Sequence, residues 1–179
     1  GVQTCALPIF DYFSKMLEKG SSYVLEARIG MGNAQLAMDG IEEARKQYEA
    51  ALERNGNYAP ANVGLGKVAL RNENYSEAGD LLSLVAEANT TEVGAEAQYL
   101  LGVVEQRQGQ YRQALDAYTN VAVLYEAFDE WVAKALLRSA ECHIQLGNPG
   151  EARNLLNTVA EDYPESPEAR EAQRLLQSD

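Results

Sequence analysis

A small residue followed by a second small residue twelve positions later recurs four times along the chain: Gly32 and Ala44, Gly66 and Ala78, Gly102 and Ala114, Ala140 and Ala152. The internal spacing is constant, while the step between successive second members grows from 34 to 36 to 38 residues. Self-similarity at such a period marks a repeat architecture, in which each unit is one supersecondary element whose apolar face is buried by its neighbours. Short insertions at one loop are expected to account for the growing step.

Two further columns lock to the same frame. Four residues after each second small residue stand Tyr48, Leu82, Tyr118 and Leu156, and seven after stand Ala51, Val85, Val121 and Val159. Offsets of four and seven place these side chains on one helical face, above the small residue itself. Each unit therefore ends in an amphipathic helix. The first small residue lies in a preceding helix, where Leu25, Ile29 and Leu36, or Leu100, Val103 and Val104, keep the helical period. Glycine inside a helix costs about 0.5–1 kcal/mol relative to alanine, so Gly32, Gly66 and Gly102 require compensation. Close approach of the paired helices supplies it, since a large side chain there would force the hairpin apart.

Turn chemistry agrees. Asn74 with Glu77 three later, Asn148-Pro149 with Glu151, and Ser166-Pro167-Glu168 read as capped helix starts, while Asp39-Gly40 and Gly109 mark the other two hairpin turns.

Glycine early, alanine twelve later, an aromatic or leucine four beyond and a proline near the end of the unit together resemble the tetratricopeptide repeat. The likeness runs from Ser22 to Pro164. It implies an all-α fold, a solenoid of α-hairpins wound as a right-handed superhelix, with four units at about 22–56, 57–90, 91–127 and 128–164. The segment 10–21 reads as the second helix of a truncated preceding unit, and 165–179 as a C-terminal capping helix. Departures from the family pattern are Ser139-Ala140 for leucine-glycine, Pro149 for an aromatic, and Arg28, Asn62, Gln98 and Leu136 at the tryptophan-like position.

Residues 1–9 resemble the conceptual translation of a sequencing-library adapter and are set aside from the fold. With Cys5 removed, Cys142 stands alone and no intramolecular disulfide is expected. The run Tyr163-Pro164-Glu165-Ser166-Pro167 resembles a junction of bacterial envelope repeat proteins, including the Tol-Pal-associated repeat protein and the lipoprotein of the outer-membrane assembly machine. That resemblance implies a periplasmic or outer-membrane-associated setting; the alternatives are a cytoplasmic adaptor and the accessory repeat region of a larger envelope enzyme, a peptidase or glycosyltransferase.

With 27 acidic against 15 basic residues the formal charge is −12, which opposes nucleic acid and anionic membrane surfaces and favours neutral or basic protein partners. No apolar run approaches the length of a membrane span. Chemistry-bearing constellations are not evident, so no catalytic residue, cofactor or metal is assigned and the chain is read as a non-enzyme. His143, the single histidine, adjoins Cys142, but helical neighbours point about a hundred degrees apart; His143 is expected to be packed and hydrogen-bonded. Gly64-Leu65-Gly66-Lys67 lacks the upstream glycine and the hydroxyl of a phosphate loop, with Ala61 and Val68 in those places. Carboxylates such as Glu42, Glu43, Glu49 and Glu53 alternate with Arg45, Lys46 and Arg54 and read as a solvated face.

If the hairpins stack, the first helices line a concave groove that takes a peptide or helix. Its expected lining is Asn33, Val63, Lys67, Tyr99, Val103, Leu137, Arg138 and Glu141, with Lys134 at one edge. Tyr99 and Arg138 are the favoured anchors, because tyrosine and arginine dominate interface hot spots. Tyr99→Ala is accordingly expected to spare the melting curve. Against the family's two-carboxylate clamp, Lys134 and Arg138 match the last pair, but Val63, Lys67 and Leu100 occupy the other positions, and an apolar peptide is the plainer occupant. Trp131 and Phe128 are expected to plug the widest gap between units.

Overall fold

The computed structural model describes residues 2–18 and 23–177, and every regular element among them is an α-helix. In chain order these are α1 Val2–Glu18, α2 Val24–Ala37, α3 Ile41–Leu52, α4 Ala59–Arg71, α5 Tyr75–Ala88, α6 Glu92–Arg107, α7 Tyr111–Leu124, α8 Asp129–Gln145, α9 Pro149–Asp162 and α10 Pro167–Leu176. The chain divides into two compact units, Gly1–Val85 and Ala86–Asp179. Within the first, α2 packs against α1, α3 and α4, and α3 against α4; within the second, α8 packs against α6, α7, α9 and α10.

The repeat frame sets the core of each unit. Ala44, Tyr48, Ala51, Ala78, Leu82 and Val85 are buried in the first, and Ala114, Tyr118, Val121, Ala152, Leu156 and Val159 in the second. The interior glycines answer to these side chains directly. A Cβ on Gly102 would overlap the ring of Tyr118, one on Gly32 the ring of Tyr48, and one on Gly66 would lie 2.8 Å from Leu82 Cγ. Each glycine is thus a socket for the side chain sixteen positions later in its own hairpin. The fourth hairpin has Ala140 facing Leu156 in one cluster, a methyl group in place of part of a ring.

Tyr48 fills a second socket as well. A Cβ on Gly64, in the next first helix, would lie 2.5 Å from Tyr48 Cδ1, so the ring is clasped between α2 and α4. Phe13 of α1 meets Gly30 of α2 in the same way, which gives α1 the packing role of a preceding second helix. That helix also runs back through Pro8 to Val2, where the sequence reading sets residues 1–9 aside; Ala6 is buried while Leu7 and Ile9 are exposed. Gly1, residues 19–22 and residues 178–179, which that reading assigns to the first segments and the cap, lie outside the described residues.

All four hairpin turns share one geometry. The residue five before each second small residue adopts positive φ: Asp39 at 66°, Glu73 at 57°, Gly109 at 74° and Gly147 at 75°. The next amide closes a Schellman-type bond to the carbonyl five residues back: Gly40 to Gln35 at 2.8 Å, and Asn74 to Ala69, Gln110 to Glu105 and Asn148 to His143 at 2.9 Å. In the first turn the left-handed residue is therefore Asp39, whereas Gly40 sits at φ −82° as the N-cap of α3. Asn74 Oδ1 accepts from the Glu77 amide at 3.4 Å and Ser166 Oγ from the Ala169 amide at 3.0 Å, as their capping spacing predicts. Asn148 makes no side-chain cap, and Pro149 at N1 starts α9 instead.

The growing step has a different origin from loop insertion. The helices flanking each connector lengthen, with α3, α5 and α7 at 12, 14 and 14 residues and α4, α6 and α8 at 13, 16 and 17, while the connectors 53–58, 89–91 and 125–128 shorten by three residues and then regain one. Where tryptophan is absent, Arg28 Nη1 donates to Gln47 Oε1 at 3.0 Å and Gln98 Nε2 to the Ala117 carbonyl at 3.1 Å, each nineteen residues on, so a polar tie replaces an aromatic wedge.

Candidate functional site

In the second unit, α6, the start of α7 and α8 enclose an open pocket of about 480 Å³ lined by Val103, Gln106, Arg107, Tyr111, Arg138, Glu141 and Gln145. Val103 and Glu141 stand one position after the first small residue of their units, and Arg107 and Gln145 one helical turn further along the same face. Adjacent first helices thus present equivalent positions side by side, as the stacked-hairpin expectation requires.

A polar network fixes the floor. Tyr118 Oη donates to Gln106 Oε1 at 2.7 Å, which orients the Gln106 amide so that Nε2 donates to Glu141 Oε2 at 3.2 Å. Arg138 Nη1 donates to that same Glu141 oxygen at 2.8 Å, and Arg138 Nε to the Tyr99 hydroxyl at 3.4 Å. Burial alone would lower the pKa of Arg138, but its bonds to Tyr99 and Glu141 outweigh that and hold it above its ordinary value, so the guanidinium stays charged. Tyr118 is raised above its ordinary range by burial first, then by Tyr99 and Cys142. Cys142 is pushed up to about 11 by burial, reinforced by the charge of Glu141 and partly offset by Arg138, leaving a neutral thiol.

Of the expected groove residues, Val103, Arg138 and Glu141 line this pocket. Tyr99 joins it only through its hydroxyl. Its ring is packed 5.7 Å from Tyr118 and 5.6 Å from Trp131, centroid to centroid, so Tyr99→Ala removes aromatic packing and is expected to lower the melting temperature. Val63 is 1% exposed and belongs to the interior, a correction to its placement on the groove. Leu137 is half-buried, packs against the cluster of Leu156, Val159 and Ala172, and is not among the residues lining this pocket. Asn33 is exposed and accepts the Tyr48 hydroxyl at 2.8 Å; Lys67 is half-buried on α4, in the first unit.

Lys134 and Arg138, paired by the clamp comparison, serve different surroundings. Lys134 bonds to Glu130, lies 4.3 Å over the Trp131 ring, and lines a separate recess of about 440 Å³ with Glu165, Ser166, Pro167 and Glu168. Trp131 is half-buried against Tyr99 and Phe128 is half-buried at the N-cap of α8, with Trp131 filling space between helices as expected. His143 departs from expectation: its Nδ1 is buried with no hydrogen-bond partner among the described protein atoms. Gln106, Arg107, Tyr111 and Gln145 were not legible as site residues, although extending the column of Val103 and Glu141 by one turn reaches Arg107 and Gln145. Among the described residues, no grouping of histidine, cysteine and carboxylates is suited to a metal, and no helix is long and apolar enough to cross a membrane.

Helical hairpins socketed in this way, with equivalent first helices side by side, define an α-hairpin repeat protein built to present a surface. The repeats are tetratricopeptide repeats: models of that family match residues 29–92 and residues 105–176. The fold is that of a thermophilic TPR protein of Thermus thermophilus, with a TM-score of 0.79 at 17% identity over 100% of this chain and 96% of that one. It is likewise that of MamA from Desulfovibrio magneticus RS-1, at 0.65 and 20% identity over 90% of this chain and 97% of that one. Cellulose synthase operon protein C of Xanthomonas axonopodis pv. citri (strain 306) is 29% identical over 150 residues, 83% of this chain and 10% of that protein. The chain spans about a tenth of that relative's length.

Proposed function

We propose that this chain is a non-catalytic scaffold that holds a protein segment in the pocket between α6, α7 and α8, as part of a protein of the bacterial envelope. The observation that carries the binding reading is the pocket itself. Polar groups from two adjacent first helices and the start of α7 converge on one open recess, beside the half-buried apolar surface of Val103 and Tyr111. Arginine and tyrosine are the side chains that most often anchor partners.

The Tyr163-Pro164 to Ser166-Pro167 junction favours the envelope setting, and the likeness to cellulose synthase operon protein C of Xanthomonas axonopodis favours a bacterial one. The small share of that relative which the chain covers favours a second reading within the first, in which these repeats are the accessory region of a larger envelope protein. A photocrosslinking residue placed at Val103 or Arg107 is expected to capture a partner, while one at the exposed Asp116 of α7 captures none. Equal capture from both faces would refute the groove. The complete gene is expected to encode an export signal upstream; a leaderless cytoplasmic reading frame would refute the envelope assignment.

A further inference from the structure

We infer that Glu141 is the specificity-determining residue of the α6–α8 pocket: it occupies Arg138 from within and closes the site to acidic side chains, leaving it selective for an uncharged segment. This rests on the binding role proposed above for the same pocket.

Glu141 is held in place. One of its oxygens accepts from both Arg138 Nη1 and Gln106 Nε2, and Gln106 cannot turn away because Tyr118 Oη fixes the other end of its amide. Arg138 is fixed in turn by Tyr99. The carboxylate is thus part of a tied chain across α6, α7 and α8, and not a loose surface group.

The consequence for recognition follows from charge. Without Glu141 the pocket would present two guanidinium groups, Arg107 and Arg138, on a chain of formal charge −12, a local attraction for any carboxylate. With Glu141 in place an acidic side chain approaching Arg138 must either lie beside a like charge or displace a charge-assisted pair already made, while the exposed Arg107 offers it only a solvent-screened attraction. The like charge and the displacement both oppose entry, which is discrimination by a repulsive element in the sense usual for specific interfaces. An amide or hydroxyl suffers neither penalty. It still finds the Nη2 N–H groups of Arg138, the second oxygen of Glu141, the amide of Gln145 and the Tyr111 hydroxyl.

The test uses the full chain and three fluorescent alanine-based peptides, acetylated and amidated, that differ only in a central Gln, Glu or Lys, with affinity read by anisotropy. Wild type is expected to bind the Gln peptide more tightly than the Glu peptide. Glu141→Gln raises affinity for the Glu peptide by about tenfold or more, a gain that fades with added salt and is absent for the Gln peptide. Arg138→Gln, which leaves Glu141 unpaired, shifts preference toward the Lys peptide and keeps the inference testable if the first variant folds poorly. Peptide binding with the same Gln-to-Glu ratio in wild type and Glu141→Gln overturns the inference and leaves the binding role standing. Failure of wild type and both variants to bind any of the three peptides overturns the two together.

Discussion

The ring of Tyr118 occupies the place where a side chain would begin at Gly102. The two residues lie sixteen apart, one in each helix of a hairpin, and the same relation joins Gly32 to Tyr48 and Gly66 to Leu82. The glycine's cost to helix propensity is offset by admitting a large side chain that is 1% exposed at Tyr118. What the hairpins share is a large side chain of one helix seated in a glycine socket of the other.

Gly102→Ala is therefore expected to destabilise, although alanine is the better helix former. Overpacking costs about 1–3 kcal/mol, against which the propensity gain of about 0.5–1 kcal/mol is too small. In a Tyr118→Leu background, which imitates the natural pairing of Ala140 with Leu156, the same change costs less. Urea unfolding of the four-variant cycle measures the coupling, and additive effects of the two substitutions would show that they do not compete for space.

Glu73→Gly is expected to stabilise the protein. Glu73 is exposed at φ 57°, a left-handed conformation that costs an L-residue about 1–2 kcal/mol and glycine very little. Glycine's extra freedom in the unfolded chain returns part of that, for a net gain of about 0.5–1 kcal/mol. Gly109→Ala, at the equivalent position, should cost about 1 kcal/mol. A lowered urea midpoint for Glu73→Gly would contradict the common turn geometry.

The turns also show what the sequence could carry. The columns of small and large residues were legible because their spacing is set by helix geometry, which the side chains obey without exception in all four units. Glycine declares the left-handed turn residue at Gly109 and at Gly147; at Asp39 and Glu73 the Schellman bonds impose the conformation on residues whose type does not announce it. The groove was half legible for a similar reason. Val63, Tyr99 and Leu137 stand one helical turn before Lys67, Val103 and Glu141, so spacing puts both columns on one face; which column meets open space and which meets packed side chains depends on what the neighbouring helices bring against it. Tyr99 was misjudged because the expectation weighed its chemistry at interfaces and not the two aromatic rings, Tyr118 and Trp131, that the fold brings against it.

Cys142 links stability to alkaline pH. Its side chain is 0% exposed, and its thiol is raised from the ordinary 9.0 to about 11, chiefly by burial. Below pH 9 the thiol is protonated in both folded and unfolded chains and contributes nothing to the pH dependence. Between pH 9 and 11 the unfolded chain releases the proton while the folded chain retains it, so the folded state binds more protons and loses stability as pH rises. The loss approaches roughly 2 kcal/mol near pH 11, because each tenfold displacement of the proton equilibrium is worth about 1.4 kcal/mol and structural relaxation returns part of it. Tyr118 acts in the same direction at higher pH, because its hydroxyl is raised too. Cys142→Ala separates the two: its urea midpoint should fall less than that of the parent between pH 9 and 11, with the profiles parallel below pH 9. In a Cys5→Ala background, which leaves Cys142 as the one thiol, a thiol reagent should in the same range modify Cys142 only as fast as the chain unfolds. Rapid labelling of that folded variant at pH 8, or identical alkaline profiles for the parent and Cys142→Ala, would place the thiol in a more open environment than the core between α7 and α8 provides.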